Sequence, residues 1–199
     1  MKNVKITTRQ AIVLFLCVVT LVSFFQPAVR LNFSIIGIER GVNLSLATFF
    51  ESGDGLIDLN LADTDFASLF DDSDVMVDVG LRVVFSVAAY FATLLGMTAV
   101  LFFTFFGRFR RAVVVLTVVS FGLMLAAGRV VLTLPPLVNQ ILNDTIQRSV
   151  ILRFIALFID TTDIIGLQLQ RGYWLIVVPL GMLVLLEGFY TVTERGKKR

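Results

Sequence analysis

The sequence predicts an all-helical membrane protein: a bundle of four transmembrane helices carrying a small β-hairpin and interfacial-helix cap outside the cytoplasm. Three observations lead there. Of the 199 residues 57% are hydrophobic and 19 are Phe, and the mean hydropathy is +0.88, which lies outside the range of water-soluble domains. Four apolar runs, about 10–29, 83–106, 112–134 and 173–193, approach or exceed the roughly 20 helical residues needed to cross a bilayer. The charges are also segregated. Lys2, Lys5 and Arg9, then Arg108, Arg110 and Arg111, then Arg195, Lys197, Lys198 and Arg199 occupy three short segments, which the positive-inside rule assigns to the cytoplasm.

The two central runs organise the chain. Val83 to Phe106 and Ala112 to Leu134 rise about 36 and 35 Å as helices, against a hydrocarbon core of roughly 30 Å. The five residues between them, 107–111, allow only a tight hairpin, and its three arginines mark it as the inner turn. The first run begins after a basic segment and reads as a span that is retained, because the small residues of a cleavage site are missing around Gln26 and Ala28. The last run is opened by Tyr173 and Trp174 at the outer interface and closed by its basic tail. The whole chain, 1–199, reads as one integral membrane domain with both termini in the cytoplasm of a bacterium, in the inner membrane.

Between these runs lie two external loops, 30–82 and 135–172. Residues 30–78 of the first hold ten acids from Glu39 to Asp78 against Arg30 and Arg40, a net of −8. Its start alternates: Leu31, Phe33 and Ile35 on one side, then Val42, Leu44 and Leu46, with Glu39-Arg40-Gly41 as the turn between. Asp63 or Thr64 caps a short amphipathic helix through Phe66, Leu69 and Phe70. In the second loop Pro135 and Pro136 end the third span. From Leu137 to Ser149 apolar and amide side chains divide a helical wheel in two, which predicts a helix lying in the outer interface. Ile164 to Gln170 alternates again, and its Ile-Ile-Gly-Leu echoes Ile35-Ile36-Gly37-Ile38, so a third strand joins the hairpin in one small sheet.

Composition removes several chemistries. The chain has no histidine and one cysteine, Cys17; imidazole bases, imidazole metal ligands, thiolate clusters and intramolecular disulfides are therefore excluded. No phosphate loop, nucleophile elbow or zinc motif is present. The acids from Asp63 to Asp78 lack the glycine and distal glutamate of a calcium loop and read as solvated surface. Neither a cofactor, a catalytic residue nor a nucleic-acid interface is expected.

Four sets of residues remain as candidates. Glu187 is the acid inside an apolar span, about 21 Å down the helix from Tyr173, where a carboxylate needs a partner; it reads as a protonatable site, or as a structural pair with Arg108, Arg110 or Arg111. Arg82 and Arg129, near the outer ends of the central helices, are expected to pair with Asp74 or Asp78. Small residues at four-residue spacing, Ala88, Ala92 and Gly96 in one helix with Gly122 and Ala126 in the other, form a helix-packing face, within the bundle or toward a partner helix. Pro179 and Gly181 can bend the last span.

The layout of a strand-forming first loop, a basic inner turn and a shorter second loop resembles the four-span architecture of claudin-type proteins. The Trp and paired Cys of a claudin first loop are absent, so the resemblance implies topology and carries over neither barrier function nor residues. With Phe33-Ser34 leading to Gly37, and Gly172-Tyr173-Trp174-Leu175 entering the last span, the chain is also similar to small four-span bacterial membrane proteins. The functional expectation is a non-enzymatic accessory or scaffold subunit in contact with lipid and with a membrane-protein partner or a second copy. The alternative is a small transporter or channel component using Glu187.

Overall fold

A computed structural model describes residues 7–35, 38–45, 74–107, 109–148 and 165–196. In chain order these form α1 (Thr8–Ser23), β1 (Val29–Ile35), β2 (Ile38–Leu44), α2 (Asp74–Phe105), α3 (Arg110–Arg148), β3 (Ile165–Leu169) and α4 (Arg171–Gly196). The segment expected as a short helix from Asp63 to Phe70 lies outside the described residues.

Three of the helices are long and apolar enough to cross a membrane, within Asp78–Phe105, Arg110–Ile141 and Arg171–Thr193. The fourth, α1, is apolar but has 16 residues, or about 24 Å of rise. It begins with a reciprocal cap: the Gln10 amide donates to Thr7 Oγ1 at 3.3 Å, and the Thr7 amide donates to Gln10 Oε1 at 2.9 Å, satisfying two donors that a helix start leaves open. It ends at Ser23, short of the Val29 limit read from the sequence. The amides of Phe24, Phe25 and Gln26 turn back on Leu21, Val22 and Ser23, and Pro27 closes the helix.

The helices neighbour one another in a ring, α1 beside α2, α2 beside α3, α3 beside α4 and α4 beside α1. Each sends a stripe inward at three- and four-residue spacing: Val13, Cys17 and Phe24; Met97 and Val100; Val113 and Met124; Tyr173, Ile176, Leu180 and Leu183. Hydroxyls lie in the same interior. Thr20, Ser23, Thr93 and Thr117 are buried, and each donates to the carbonyl four residues back. The outward faces are apolar instead, with Phe15, Leu95, Leu185 and Val192 all well over half exposed. A polar-studded interior under an apolar exterior is the arrangement lipid favours and water does not.

The α2–α3 connection is tight, as expected. Gly107 and Phe109 take the left-handed region at φ 63° and 56°, Phe109 at a steric cost of about 1–2 kcal/mol. Two other expectations are corrected. Helix α3 does not end at Pro135 and Pro136 but runs through both to Arg148. Each proline removes one ladder hydrogen bond, at about 3 kcal/mol, yet α3 packs against its neighbours and Val131 and Leu134, in the turn before the prolines, are buried. The amphipathic stretch from Leu137 is thus the continuation of α3 and not a separate interfacial helix.

The sheet has the order β2-β1-β3, with both neighbours antiparallel to β1. The third strand expected from Ile164 to Gln170 is β3, pairing Val29 with Leu169 and Leu31 with Leu167. The hairpin reversal, however, is not at Glu39-Arg40-Gly41. Ile35 pairs with Ile38 and Phe33 with Arg40, so those three residues lie within β2 and a two-residue connection joins the strands. The charged triplet has the composition of a turn, but its register against β1 places it on the ladder. Val29, Leu31, Leu44, Leu167 and Leu169 share one face of the register, and Arg30, Asn32, Asn43 and Gln168 the other.

Candidate functional site

The α2–α3 turn and the start of α1 lie at the same end of the bundle, here the turn end; the sheet lies at the other. At the turn end α1 and α4 meet through Arg9 and Glu187. Arg9 stands in the first turn of α1 because the Thr7–Gln10 cap starts the helix just before it. Its Nε and Nη2 donate to Glu187 Oε1 at 3.2 and 2.7 Å, and Nη2 also donates to Oε2. Glu187 is 1% exposed and the Arg9 side chain 22%. Tyr190, one turn beyond Glu187 on the same face of α4, lies with its ring centroid 5.4 Å from the guanidinium carbon, a cation–π distance. The Thr191 hydroxyl donates to the Glu187 carbonyl at 2.7 Å.

The physical logic is mutual. An arginine in the first turn of a helix opposes the macrodipole, whereas a carboxylate beside that turn is favoured by it, so Glu187 offsets both the charge and its position. Taking two ions out of water costs several kcal/mol each, and the forked geometry recovers much of that. Beside the pair, Gln10 Nε2 donates to the Thr104 carbonyl on α2 at 3.4 Å, and the Thr104 hydroxyl is buried without a hydrogen-bond partner among the described residues.

The partner of Glu187 is therefore Arg9, not an arginine of the central turn. Depth alone left several cations eligible; the packing of α4 against α1 chose among them. In the sequence Arg9 belongs to the basic leading segment, and the Thr7-x-x-Gln10 capping pattern is the signal that it lies on a helix. Arg82 does pair with Asp78, Nη2 and Nε each 2.9 Å from Oδ2 one turn away, and its Nη1 reaches Thr133 Oγ1 on α3 at 3.1 Å. Arg129 is exposed and makes no ion pair among the described residues.

The small residues separate into two groups. Gly96 serves an internal contact: a Cβ there falls 2.7 Å from Ser120 Oγ. Ala88, Ala92, Gly122 and Ala126 are exposed, and Gly122 has nothing within 4 Å of the place its Cβ would take. The glycines that bring helices closest were not singled out in the sequence. Gly128 lies under the ring of Tyr173, whose hydroxyl donates to the Met124 carbonyl at 3.0 Å. Gly172 sits on the Pro27 and Gln26 carbonyl oxygens, 2.5 and 2.8 Å from an added Cβ. Tyr173 is accordingly buried, while its neighbour Trp174 is 54% exposed. No cluster of three metal-ligating side chains occurs among the described residues.

These features define a mostly helical membrane protein, three of its helices long and apolar enough to span, with a small sheet at one end. In comparison with known proteins, the chain matches no family model, no curated protein and no solved structure.

Proposed function

We propose that the chain is a four-span, non-enzymatic accessory or scaffold subunit of a bacterial inner membrane, with both termini cytoplasmic, the sheet outside, and a helix face that contacts another membrane protein or a second copy. The observation that carries this reading is the division of small residues. Gly96, Gly128 and Gly172 are consumed by contacts inside the bundle, whereas Ala88, Ala92, Gly122 and Ala126 are left exposed. Between helices in lipid, association depends on close backbone approach at small residues, and an exposed helical glycine costs about 1 kcal/mol of propensity with no internal return. Support for α1 as the fourth span comes from its buried stripe and from the Glu187 carboxylate, which needs the cation α1 supplies.

The test is extraction in lipid nanodiscs with mass determination and identification of companions. The wild-type chain is expected with a stoichiometric membrane-protein partner or as a dimer. Gly122→Leu, which adds helix propensity at an exposed position whose added Cβ meets nothing within 4 Å, is expected to release it. Repeated recovery of the bare monomer refutes the reading. A reporter at the C-terminus that proves periplasmic refutes the orientation. The second reading, a small transporter or channel component, is favoured by a buried carboxylate in an apolar helix; it requires that Glu187→Gln abolish a solute flux in proteoliposomes.

A further inference from the structure

The two ends of α1 are held in different ways. At the sheet end the ties are main-chain to main-chain: Ala28 N–H to the Leu44 carbonyl at 2.9 Å, Gln170 N–H to the Ala28 carbonyl at 2.9 Å and Gly172 N–H to the Pro27 carbonyl at 3.0 Å. There β1 continues from α1 as the middle strand of the sheet, and the Tyr90 hydroxyl donates to the Phe24 carbonyl at 2.8 Å. At the turn end no backbone hydrogen bond joins α1 to another element among the described residues. Side-chain links stand in their place: Arg9 to Glu187 and to the Tyr190 ring, and the long Gln10 contact to the Thr104 carbonyl.

We propose that α1 is hinged at residues 24–28 and latched at its other end by the Arg9–Glu187 pair, so that loss of the pair lets its first turns swing outward and admits water between α1, α2 and α4 as far as Cys17. Three observations beyond the pair carry this. The outward face of α1, Phe15, Val18 and Val22, is exposed, so nothing described blocks the motion on that side. Among the described residues the buried Thr104 hydroxyl has no hydrogen-bond partner, and a buried unsatisfied hydroxyl is a cost that entering water removes. The inner face that opening wets carries Glu187, Thr104 and Cys17, polar groups that tolerate water, alongside Val13. The inference stands apart from the proposed function, since a scaffold or a transporter can carry such a latch.

The single cysteine is a built-in reporter, because Cys17 is fully buried on the inward face of α1. An anionic methanethiosulfonate reagent is added to the protein in nanodiscs and modification is followed by mass. Labelling is expected to be slow in the wild type, about 100-fold faster in Arg9→Gln, and faster by about 20-fold in Glu187→Gln, whose remaining arginine is part exposed and keeps the Tyr190 ring. The charge swap Arg9→Glu with Glu187→Arg is expected to return labelling to within about tenfold of wild type, the residual reflecting imperfect geometry. Unchanged labelling in single variants that keep their helical circular dichroism overturns the latch, and so does a swap that labels as fast as the single variants. Where the single variants do not fold, the intact pair is probed in a Cys17→Ser background. Val13→Cys must then label faster than Ser23→Cys, and the reverse order overturns the hinge.

Discussion

Replacing each member of the ion pair by methionine predicts an asymmetry that only its burial explains. Arg9→Met leaves the carboxylate of Glu187, 1% exposed, buried in the bundle without the cation it faces. Removal of one partner of a buried pair costs about 3–5 kcal/mol, and the carboxylate reaches water only when the packing of α1 against α4 is given up. Glu187→Met leaves Arg9 instead, whose side chain is already 22% exposed and lies in the first turn of its helix. A stranded arginine can extend its stem toward the interface and keep the Tyr190 ring as a partner, so about 1–2 kcal/mol is expected after discounting for solvent. The double variant removes both charges in favour of side chains of similar volume and is expected within about 1 kcal/mol of wild type. Unfolding by denaturing detergent in mixed micelles, followed by the fluorescence of Trp174, the chain's single tryptophan, yields all three values. The reasoning fails if Glu187→Met costs as much as Arg9→Met, or if the double variant loses the sum of the two.

Gly172→Val must press a side chain into the Pro27 and Gln26 carbonyl oxygens, which as backbone cannot yield, so folded protein recovered by size exclusion is expected to fall sharply. Gly128→Ala displaces the Tyr173 hydroxyl from the Met124 carbonyl; the lost hydrogen bond and overpacking, about 1 and 1–3 kcal/mol, outweigh the helix propensity gained of about 1 kcal/mol, a net loss readable in the same detergent titration. Gly96→Ala is expected to be destabilising, and Ser120→Ala in the same chain to rescue it, because the Oγ atom is what the new methyl meets. Tyr90→Phe removes the bond to the Phe24 carbonyl and is expected to cost about 1 kcal/mol, in thermal unfolding, without altering the T-shaped contact of its ring with Phe24.

How much of this was legible in the sequence depended on whether a feature is local. Hydropathy marked α2, α3 and α4, and strict alternation marked β1 and β3, because burial on one side writes its period directly into the residues. The α2–α3 turn was legible from length alone. What failed was decided by neighbours. Pro135 and Pro136 are strong breakers in isolation, yet α3, which packs against α2, α4 and β3, continues through both. Glu39-Arg40-Gly41 has turn composition, but register against β1 places it on a strand. Arg9 and Glu187 lie 178 residues apart, and nothing short of the ring order of the helices selects that arginine from the others. The close-approach glycines, Gly128 and Gly172, were missed because neither shares the four-residue spacing that drew attention to Gly96 and Gly122.

The middle strand of the sheet also sets a timetable for biosynthesis. One neighbour of β1, the hairpin partner β2, follows it at once, but the other edge stays open until β3 emerges some 130 residues later, a wait of about 6–26 s at translation rates of about 5–20 residues per second. By the end of that interval the α2–α3 hairpin can already be seated in the bilayer, whereas the first helix still lacks the β3 half of its strand clamp and its counter-ion. Truncation anywhere before Leu169 therefore strands the beginning of the polypeptide rather than its end, and nascent chains stalled there should be the ones that membrane quality-control proteases clear first.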